Sequence, residues 1–259
     1  PEIAVLGSAA IDMDKHGKLL RTYRVPTDPL TLKCYLAGSG ELTAWCVSHP
    51  TVMMRKSALE DVGLYRDENG SLEGYPQDYE LWGLLARKYA FANIEKPLVK
   101  YRLLPKSASR NARNSKDRTV FEQYCAAITR EKIQFYLPGL AQEDAERLAR
   151  MLEFQPQEAG QDGAKVFEIF DSYLDAVTEG AVAKRRVESL KNRMKLYYLP
   201  QFFLTHRSQC VREFFRLVGR DPSALFDARF YRKIMKVFLS RVLPGKGYHL
   251  FTKEILCYR

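Results

Sequence analysis

Apolar residues recur with strand-like spacing in the first 100 residues and with helical spacing from residue 119 onward. Short apolar runs bounded by turn residues are typical of strands, whereas an apolar position every three or four residues is typical of helices. The pattern predicts strands over residues 3–11, 19–25, 47–55 and 91–101, with Pro97 interrupting the last one. It predicts helices over residues 57–62, 78–89, 119–135, 141–152, 163–178 and 181–197, and two or more between residues 208 and 243.

Capping residues fix the ends of two short helices. Asp28 and Thr27 are both suitable N-caps for a helix that runs through Leu36, because their side-chain oxygens accept hydrogen bonds from free N–H groups of the first turn. Gly63 directly follows the helix of residues 57–62, and glycine is common just past a helix C-terminus. These two helices are therefore bounded by local chemistry as well as by periodicity.

Three segments are predicted to be turns or loops. Residues 12–18 contain an Asp-x-Asp pair but predict a hairpin turn, with Gly17 suited to a positive φ. Residues 38–40, Gly-Ser-Gly, read as a loop. Residues 105–118 are polar and basic, which is typical of a linker or an active-site loop.

The size and composition indicate a globular protein with one large or two small domains. The chain has 259 residues, of which 46% are hydrophobic and 12% aromatic. No run approaches about 18 uncharged apolar residues, and no signal peptide is visible at the start. Five cysteines without Cys-x-x-Cys spacing favour reduced, buried thiols in a cytoplasmic protein. Because the chain starts at Pro1 and enters an apolar run at once, we expect it to be a piece of a longer protein.

The positive charge is concentrated in the last third of the chain. The formal net charge of +10 divides into +13 over residues 181–259 and −3 over residues 1–180. On a helical wheel, residues 229–243 place aromatic and aliphatic side chains on one face and most Lys and Arg on the other. Such a helix suits the surface of an anionic membrane. A helix packed on its own domain has the same pattern, and nucleic acid is a third, less supported partner because no recognised binding motif is present.

Asp78 is the first candidate for chemistry. It follows a Gly-Tyr-Pro turn and precedes an apolar helical run, so a structural interpretation is an N-cap or a first-turn acid stabilised by the helix dipole. The functional interpretation is a general base that takes a proton from an attacking hydroxyl. A helix start at the mouth of a cleft satisfies both, because it holds the carboxylate rigidly and leaves its oxygens accessible.

Several ordered motifs carry a resemblance to a known family. They are His49-Pro50-Thr51-Val52-Met53-Met54-Arg55, Val62-Gly63-Leu64-Tyr65, Tyr75-Pro76-Gln77-Asp78-Tyr79-Glu80-Leu81-Trp82 and Tyr101-Arg102. In this order and spacing they resemble the second half of a family-two (GT-A type) glycosyltransferase, over roughly residues 1–110. The resemblance implies an α/β fold: a partial GT-A (Rossmann-like) domain over residues 1–115, without its nucleotide-binding half, followed by an α-helical, basic extension over residues 116–259.

The resemblance implies inverting transfer of a sugar from a nucleotide-sugar donor to a glycan or lipid-linked acceptor. Asp78 matches the catalytic base, the second acid of a pair in the family. The first acid is replaced here by Gln77, which keeps a hydrogen-bonding side chain but removes a charge. Glu80 is then a helix-supporting acid. The alternative is a non-catalytic module that docks on a membrane or a protein through its basic tail, residues 225–259.

The acceptor-binding candidates are His49, Trp45 and Trp82. In the family the strand matching residues 49–55 lies behind the acceptor cleft, so His49 and Trp45 would line the acceptor pocket, Trp45 by stacking on a sugar face. A structural hydrogen bond for His49 stays an equal alternative. Trp82 is more often a core residue at such a position than a platform for a ligand.

The diphosphate-binding candidates are Arg102, Lys106 and Arg110, which could neutralise a leaving nucleoside diphosphate. A solvated basic loop is the structural alternative. Many family members carry a histidine where this chain has Leu104, so no metal ligand is predicted here. The resemblance implies Mg²⁺ or Mn²⁺ as cofactor, with its ligands mainly in the missing half. The cysteine usage indicates a cytoplasmic protein, which would be peripheral on the inner face of the membrane if the tail binds lipid.

Overall fold

The protein is a mixed α/β molecule. The computed structural model describes residues 3–66, 75–104, 118–153, 163–199 and 207–221, and within these ranges it holds one four-stranded sheet and nine α-helices. All four strands lie before residue 103 and only helices follow in the described ranges, as the change in apolar spacing predicts. Whether the sheet belongs to a GT-A domain stays a prediction.

The sheet is built around its first strand. The strands are β1 (Ile3–Met13), β2 (Leu19–Tyr23), β3 (Met53–Met54) and β4 (Ala90–Arg102). β1 pairs in parallel with β4 along its whole length, from Ile3 opposite Ala90 to Met13 opposite Arg102. On its other side β1 pairs antiparallel with β3 at one end and with β2 at the other. Because β1 has neighbours on both sides, most of its side chains are buried.

The parallel pairing of β1 with β4 is irregular near Pro97. The register shifts between Ser8 and Ala9 and between Ala9 and Ala10, and Pro97 lies opposite Ala9. Proline has no N–H to give to a ladder, so a bulge is its normal place inside a strand. The interruption expected at Pro97 is therefore a register shift inside one continuous strand.

Four helices accompany the sheet strands. They are α1 (Pro29–Ala37), α2 (Gly40–Cys46), α3 (Lys56–Asp61) and α4 (Gln77–Ala86). The side chain of Asp28 caps α1 by accepting from the N–H of Thr31 at 2.9 Å, as one of the two predicted caps. Gly63 follows α3 with φ of +89°, as its position predicts. α4 buries most of its residues against α1, α2, α5 and β4.

The remaining described helices are α5 (Arg118–Tyr136), α6 (Gln142–Leu152), α7 (Gly163–Val177), α8 (Lys184–Tyr198) and α9 (Arg207–Arg220). The helical spacing predicted α5 to α8 to within a few residues, and α9 is one of the helices predicted between residues 208 and 243. A second helix before residue 243 is also expected, and that part of the chain lies outside the described residues. None of the described helices has the length and apolar character needed to cross a membrane.

The strand predicted over residues 47–55 is wrong in its first part. His49–Thr51 forms a 3-10 turn, and only Met53–Met54 pairs with β1. Pro50 cannot donate to a ladder, and the N–H and hydroxyl of Thr51 both bond to the carbonyl of Ser48 at 2.8 Å. These local hydrogen bonds replace ladder bonds.

The helix α2 is not among the predicted helices. The sequence predicts only a loop at residues 38–40, where α2 begins. Ser39 is its N-cap, since its hydroxyl accepts from the N–H of Leu42 at 3.3 Å. Glu41 in the first turn complements the helix dipole. The serine and the acid two residues later are the signal that could have predicted it.

The described residues form two compact units. The first unit holds the sheet, α1 to α6 and residues 172–181, and the second holds residues 163–171, 182–199 and 207–221. The helices α5 and α6 fall in the unit that holds the sheet. The domain boundary that the resemblance implies near residue 115 stays a prediction. In the second unit Phe170 meets Tyr198 edge-on, with ring centroids 5.5 Å apart, and Lys195 pairs with Asp171.

Candidate active site

The first turn of α4 carries two polar side chains with different surroundings. Asp78 is half-buried, and its Oδ1 accepts from the N–H of Tyr79 at 2.8 Å. Tyr79 is 5% exposed and its hydroxyl lies among the helices. Pro76 occupies the cap position and offers no side-chain hydrogen bond, so Asp78 is a first-turn acid and not the N-cap. A carboxylate in the first turn is favoured by the helix dipole.

Three ring side chains form a chain of contacts on the face of α4 that carries Asp78. Nε2 of His49 is 2.8 Å from the hydroxyl of Tyr65. The imidazole also meets Trp82 edge-on, with centroids 5.6 Å apart, and Trp82 is one helical turn after Asp78 on the same face of α4. Burial and then the charge of Asp78 raise the pKa of Tyr65. We call His49, Tyr65, Asp78 and Trp82 the open cluster.

The predicted acceptor-binding residues differ in exposure. His49 is exposed at the surface of the open cluster. Trp82 is only 1% exposed and packs edge-on against Phe91, so it supports the imidazole of His49 from below and has no face to offer a sugar. Trp45 is half-buried on α2. The structure therefore brings His49 and Trp82 into contact with each other.

The predicted diphosphate-binding residues are only partly described. Arg102 ends β4, and its guanidinium donates to the carbonyls of Asp14 and Lys15 at 3.3 and 3.0 Å. It thus holds the turn that joins β1 to β2. Lys106 and Arg110 lie outside the described residues. The basic tail, residues 225–259, also lies outside them.

The residues of the Asp-x-Asp pair have structural partners. Asp12 lies in β1 and forms an ion pair with Arg21 of β2 at 2.9 Å. Oδ1 of Asp14 accepts from the N–H groups of His16 and Lys18 at 2.8 and 2.9 Å, and Gly17 has φ of +89°. The predicted hairpin turn is confirmed. Across the described ranges no group of three or more His, Cys, Asp or Glu side chains could hold a metal ion, and the predicted Mg²⁺ or Mn²⁺ stays a prediction.

A second polar group lies on the buried side of α4. The hydroxyl of Tyr79 is 2.6 Å from Thr129 Oγ1, 2.7 Å from Glu153 Oε1 and 2.6 Å from Lys132 Nζ. We call Tyr79, Thr129, Lys132 and Glu153 the buried clasp, because they close around the junction of α1 and α2. Nζ of Lys132 donates to the carbonyls of Leu36 and Gly38 at 3.2 and 2.7 Å. Glu153 accepts from the N–H of Gly40 at 3.1 Å.

The charges of the buried clasp match the helix ends that they meet. Lys132 binds the last carbonyls of α1, where a cation is favourable, and Glu153 binds the first N–H of α2, where an anion is favourable. Each of the three protons of the Lys132 ammonium has an acceptor, since the Tyr79 hydroxyl takes the third. The ammonium also lies 4.0 Å from the Tyr79 ring centroid.

Burial changes the acidity of both central groups of the clasp. It lowers the pKa of Lys132 to about 7, against the opposing effect of the Glu153 carboxylate. It raises the pKa of Tyr79 well above the usual value, and the charge of Glu153 adds to that shift. The clasp therefore holds its groups through hydrogen bonds in a place where charge is disfavoured.

Sequence reasoning missed Tyr65, Thr129, Lys132 and Glu153. A signal for Lys132 exists: Cys125, Ile128 and Ile133 form the buried stripe of α5, and a lysine falls on that stripe. Charged residues on a buried stripe are almost always paired. No comparable signal marks Tyr65, whose contact depends on the turn that precedes it.

Comparison of the chain with protein-family models, with curated proteins and with solved structures finds no match.

Proposed function

We propose that the chain takes part in inverting sugar transfer from a nucleotide-sugar donor, with Asp78 as the general base. The observation that carries the proposal is the place of the Asp78 carboxylate. It is fixed in the first turn of a buried helix, and within the described part of the chain it accepts only the N–H of Tyr79. Its remaining acceptor positions are available to the proton of an incoming hydroxyl.

The neighbours of Asp78 fit an acceptor site. His49 and Tyr65 offer hydrogen-bonding groups at the surface of the open cluster, and the buried Trp82 holds the imidazole in place. Sugar hydroxyls are recognised by such a mixture of carboxylate, imidazole and phenol groups on an aromatic base. The acceptor would be a glycan or a lipid-linked sugar, as the resemblance implies.

The proposed step requires of this chain only that it accept a proton. Asp78 takes the proton of the acceptor hydroxyl while that oxygen attacks the anomeric carbon and the nucleoside diphosphate leaves with the bonding electrons. A bound Mg²⁺ or Mn²⁺ would supply neutralisation of the departing diphosphate. A fixed general base contributes typically 10²- to 10⁴-fold to rate.

The test compares Asp78→Asn with wild type in the full-length protein to which the chain is expected to belong. Transfer and hydrolysis are measured with a panel of nucleotide-sugar donors, Mn²⁺ and methyl glycosides as acceptors. We expect turnover to fall by about 10²- to 10⁴-fold with donor affinity unchanged.

The matched control is Asp61→Asn. Asp61 ends α3, and its carboxylate binds Lys88 and Tyr89 at 2.9 and 3.0 Å, so it is another hydrogen-bonded acid of the same unit. Turnover of this variant should equal that of wild type. Equal turnover of Asp78→Asn and Asp61→Asn would remove Asp78 from the reaction and leave it as a first-turn acid.

A further inference from the structure

The turn between α3 and the open cluster has an unusual backbone. Gly63 and Leu64 follow one another with φ of +89° and +62°, and Leu64 is the one non-glycine residue with positive φ among the described residues. The left-handed conformation costs a residue with a Cβ roughly 1–2 kcal/mol. Such a residue persists only when its surroundings hold it there.

Both ends of the turn are held by specific contacts. On the helical side, the guanidinium of Arg66 lies 3.4 Å from Glu80 of α4 and 3.7 Å from Glu131 of α5. On the surface side, the hydroxyl of Tyr65 meets Nε2 of His49 at 2.8 Å. The turn thus delivers the phenol of Tyr65 to a fixed point at the edge of the open cluster.

The Tyr65 hydroxyl keeps hydrogen-bonding capacity beyond its contact with His49. The residue is 37% exposed, and a phenol has one proton to donate and two lone pairs. If the imidazole accepts the phenol proton, the lone pairs stay available. If the imidazole donates, the phenol proton stays available. In both tautomers the Tyr65 hydroxyl keeps at least one position for a ligand, close enough to Asp78 to feel its charge.

We propose that the Tyr65 hydroxyl binds the acceptor hydroxyl that neighbours the one deprotonated by Asp78, and so selects acceptors with two adjacent hydroxyls. The inference rests on the proposed function, since it assigns the second anchor of the same acceptor. Arg66 is a positioning residue for Tyr65: its ion pairs with Glu80 and Glu131 hold the turn that carries Tyr65. The chemical class of the acceptor is therefore a vicinal diol of a sugar ring.

The test is a thermodynamic cycle in which the Tyr65 hydroxyl, the neighbouring hydroxyl of the acceptor, or both are removed. Tyr65→Phe and wild type are assayed with a methyl glycoside and with its deoxy analogue that lacks the neighbouring hydroxyl. We expect Tyr65→Phe to raise the KM for the parent glycoside about tenfold, which is the loss of about one hydrogen bond. The deoxy analogue should be poor with wild type and no worse with the variant.

The matched control is Tyr89→Phe, which removes another hydrogen-bonded phenol, the partner of Asp61 at 3.0 Å. Equal losses on both glycosides would give Tyr65 a structural role and overturn the proposal, as would an unchanged KM. If wild type transfers no sugar at all, the proposed function fails separately. Binding is then read from the His49 imidazole resonance on titration with the methyl glycoside. A shift that Tyr65→Phe weakens supports the diol site, and no shift overturns it.

Discussion

Asp78 and Tyr79 are adjacent in sequence but belong to two regions with opposite properties. In the buried clasp, the Lys132 ammonium has three acceptors, and Tyr79, Thr129 and Glu153 bond to one another. In the open cluster, the side chains of Asp78, His49 and Tyr65 each retain capacity for a further bond. Saturated hydrogen bonding inside a protein contributes to stability, whereas residual capacity at the surface allows binding.

Asp78 lies near the surface, but the helix that carries it is held by buried hydrogen bonds. The clasp holds α4 through Tyr79, and Asp78 is the preceding residue of the same helix. The backbone position of Asp78 is therefore fixed by the contacts of the clasp. A general base must be held within small tolerances to be efficient. We therefore expect variants of the clasp to act on stability and variants of the open cluster to act on turnover.

Lys132→Met should have the largest effect on stability. The variant removes the ammonium that donates to the carbonyls of Leu36 and Gly38, of which, among the described residues, only Gly38 keeps another donor, the Tyr79 hydroxyl at 3.1 Å. It also removes the positive charge that attracts the Glu153 carboxylate, so we expect a loss of about 3 kcal/mol. Urea unfolding followed by circular dichroism measures it. Asp78→Asn, on the open side, should cost under about 1 kcal/mol. Similar losses for the two variants would remove the distinction between the regions.

The buried clasp should also make the free energy of unfolding depend on pH. Lys132 loses its proton above about pH 7 in the folded chain, whereas in the unfolded chain it keeps it to about 10.5. The unfolded state then binds more protons in this window, so the free energy of unfolding should rise with pH, by up to about 1.4 kcal/mol per pH unit. Above pH 10 it should fall, because unfolding allows Tyr79 to ionise.

The control for this prediction is the same titration of Lys132→Met. The rise between about pH 7 and 10 should be absent from it, while the fall above pH 10 should remain. Denaturant midpoints measured at intervals of one pH unit give both curves. A rise of equal slope in wild type and variant would assign the effect to other groups.

Gly63→Ala should lower stability by a smaller amount, and it should disturb the open cluster and not the clasp. Gly63 has φ of +89°, where alanine is strained, although open space surrounds its Cα. We expect a loss of about 1 kcal/mol, together with a weaker His49–Tyr65 contact. Gly139→Ala is the matched control, since it also adds a methyl group in open space but has no positive φ. Equal stability of the two variants would show that the turn is not constrained.

Local signals predicted much of the fold. The cap Asp28, the positive φ of Gly63 and the helical stripe of α5 all act within a few residues, and so they are visible in the sequence. The strand predicted at residues 47–55 failed because Pro50 and Thr51 favour a turn that periodicity does not register. Local chemistry was a better guide there than apolar spacing.

The candidate site was predictable only in its individual residues. The motifs identified His49, Asp78 and Trp82 as candidates, but the contacts in the cluster depend on the packing of three separate segments. The clasp joins Tyr79 to Glu153 across 74 positions of sequence. No periodicity relates residues so far apart, so such a network is visible only in three dimensions.

The parallel pairing of β1 with β4 has a consequence for how the chain is made. Paired residues of the two strands lie 86 to 89 positions apart in sequence, and contacts of such long range form slowly because a large loop must close first. During synthesis β1 leaves the ribosome well before its partner exists. Until then β1 can pair only with β2 and β3, and its other edge has no partner, so we expect the nascent chain to depend most on chaperones during that interval.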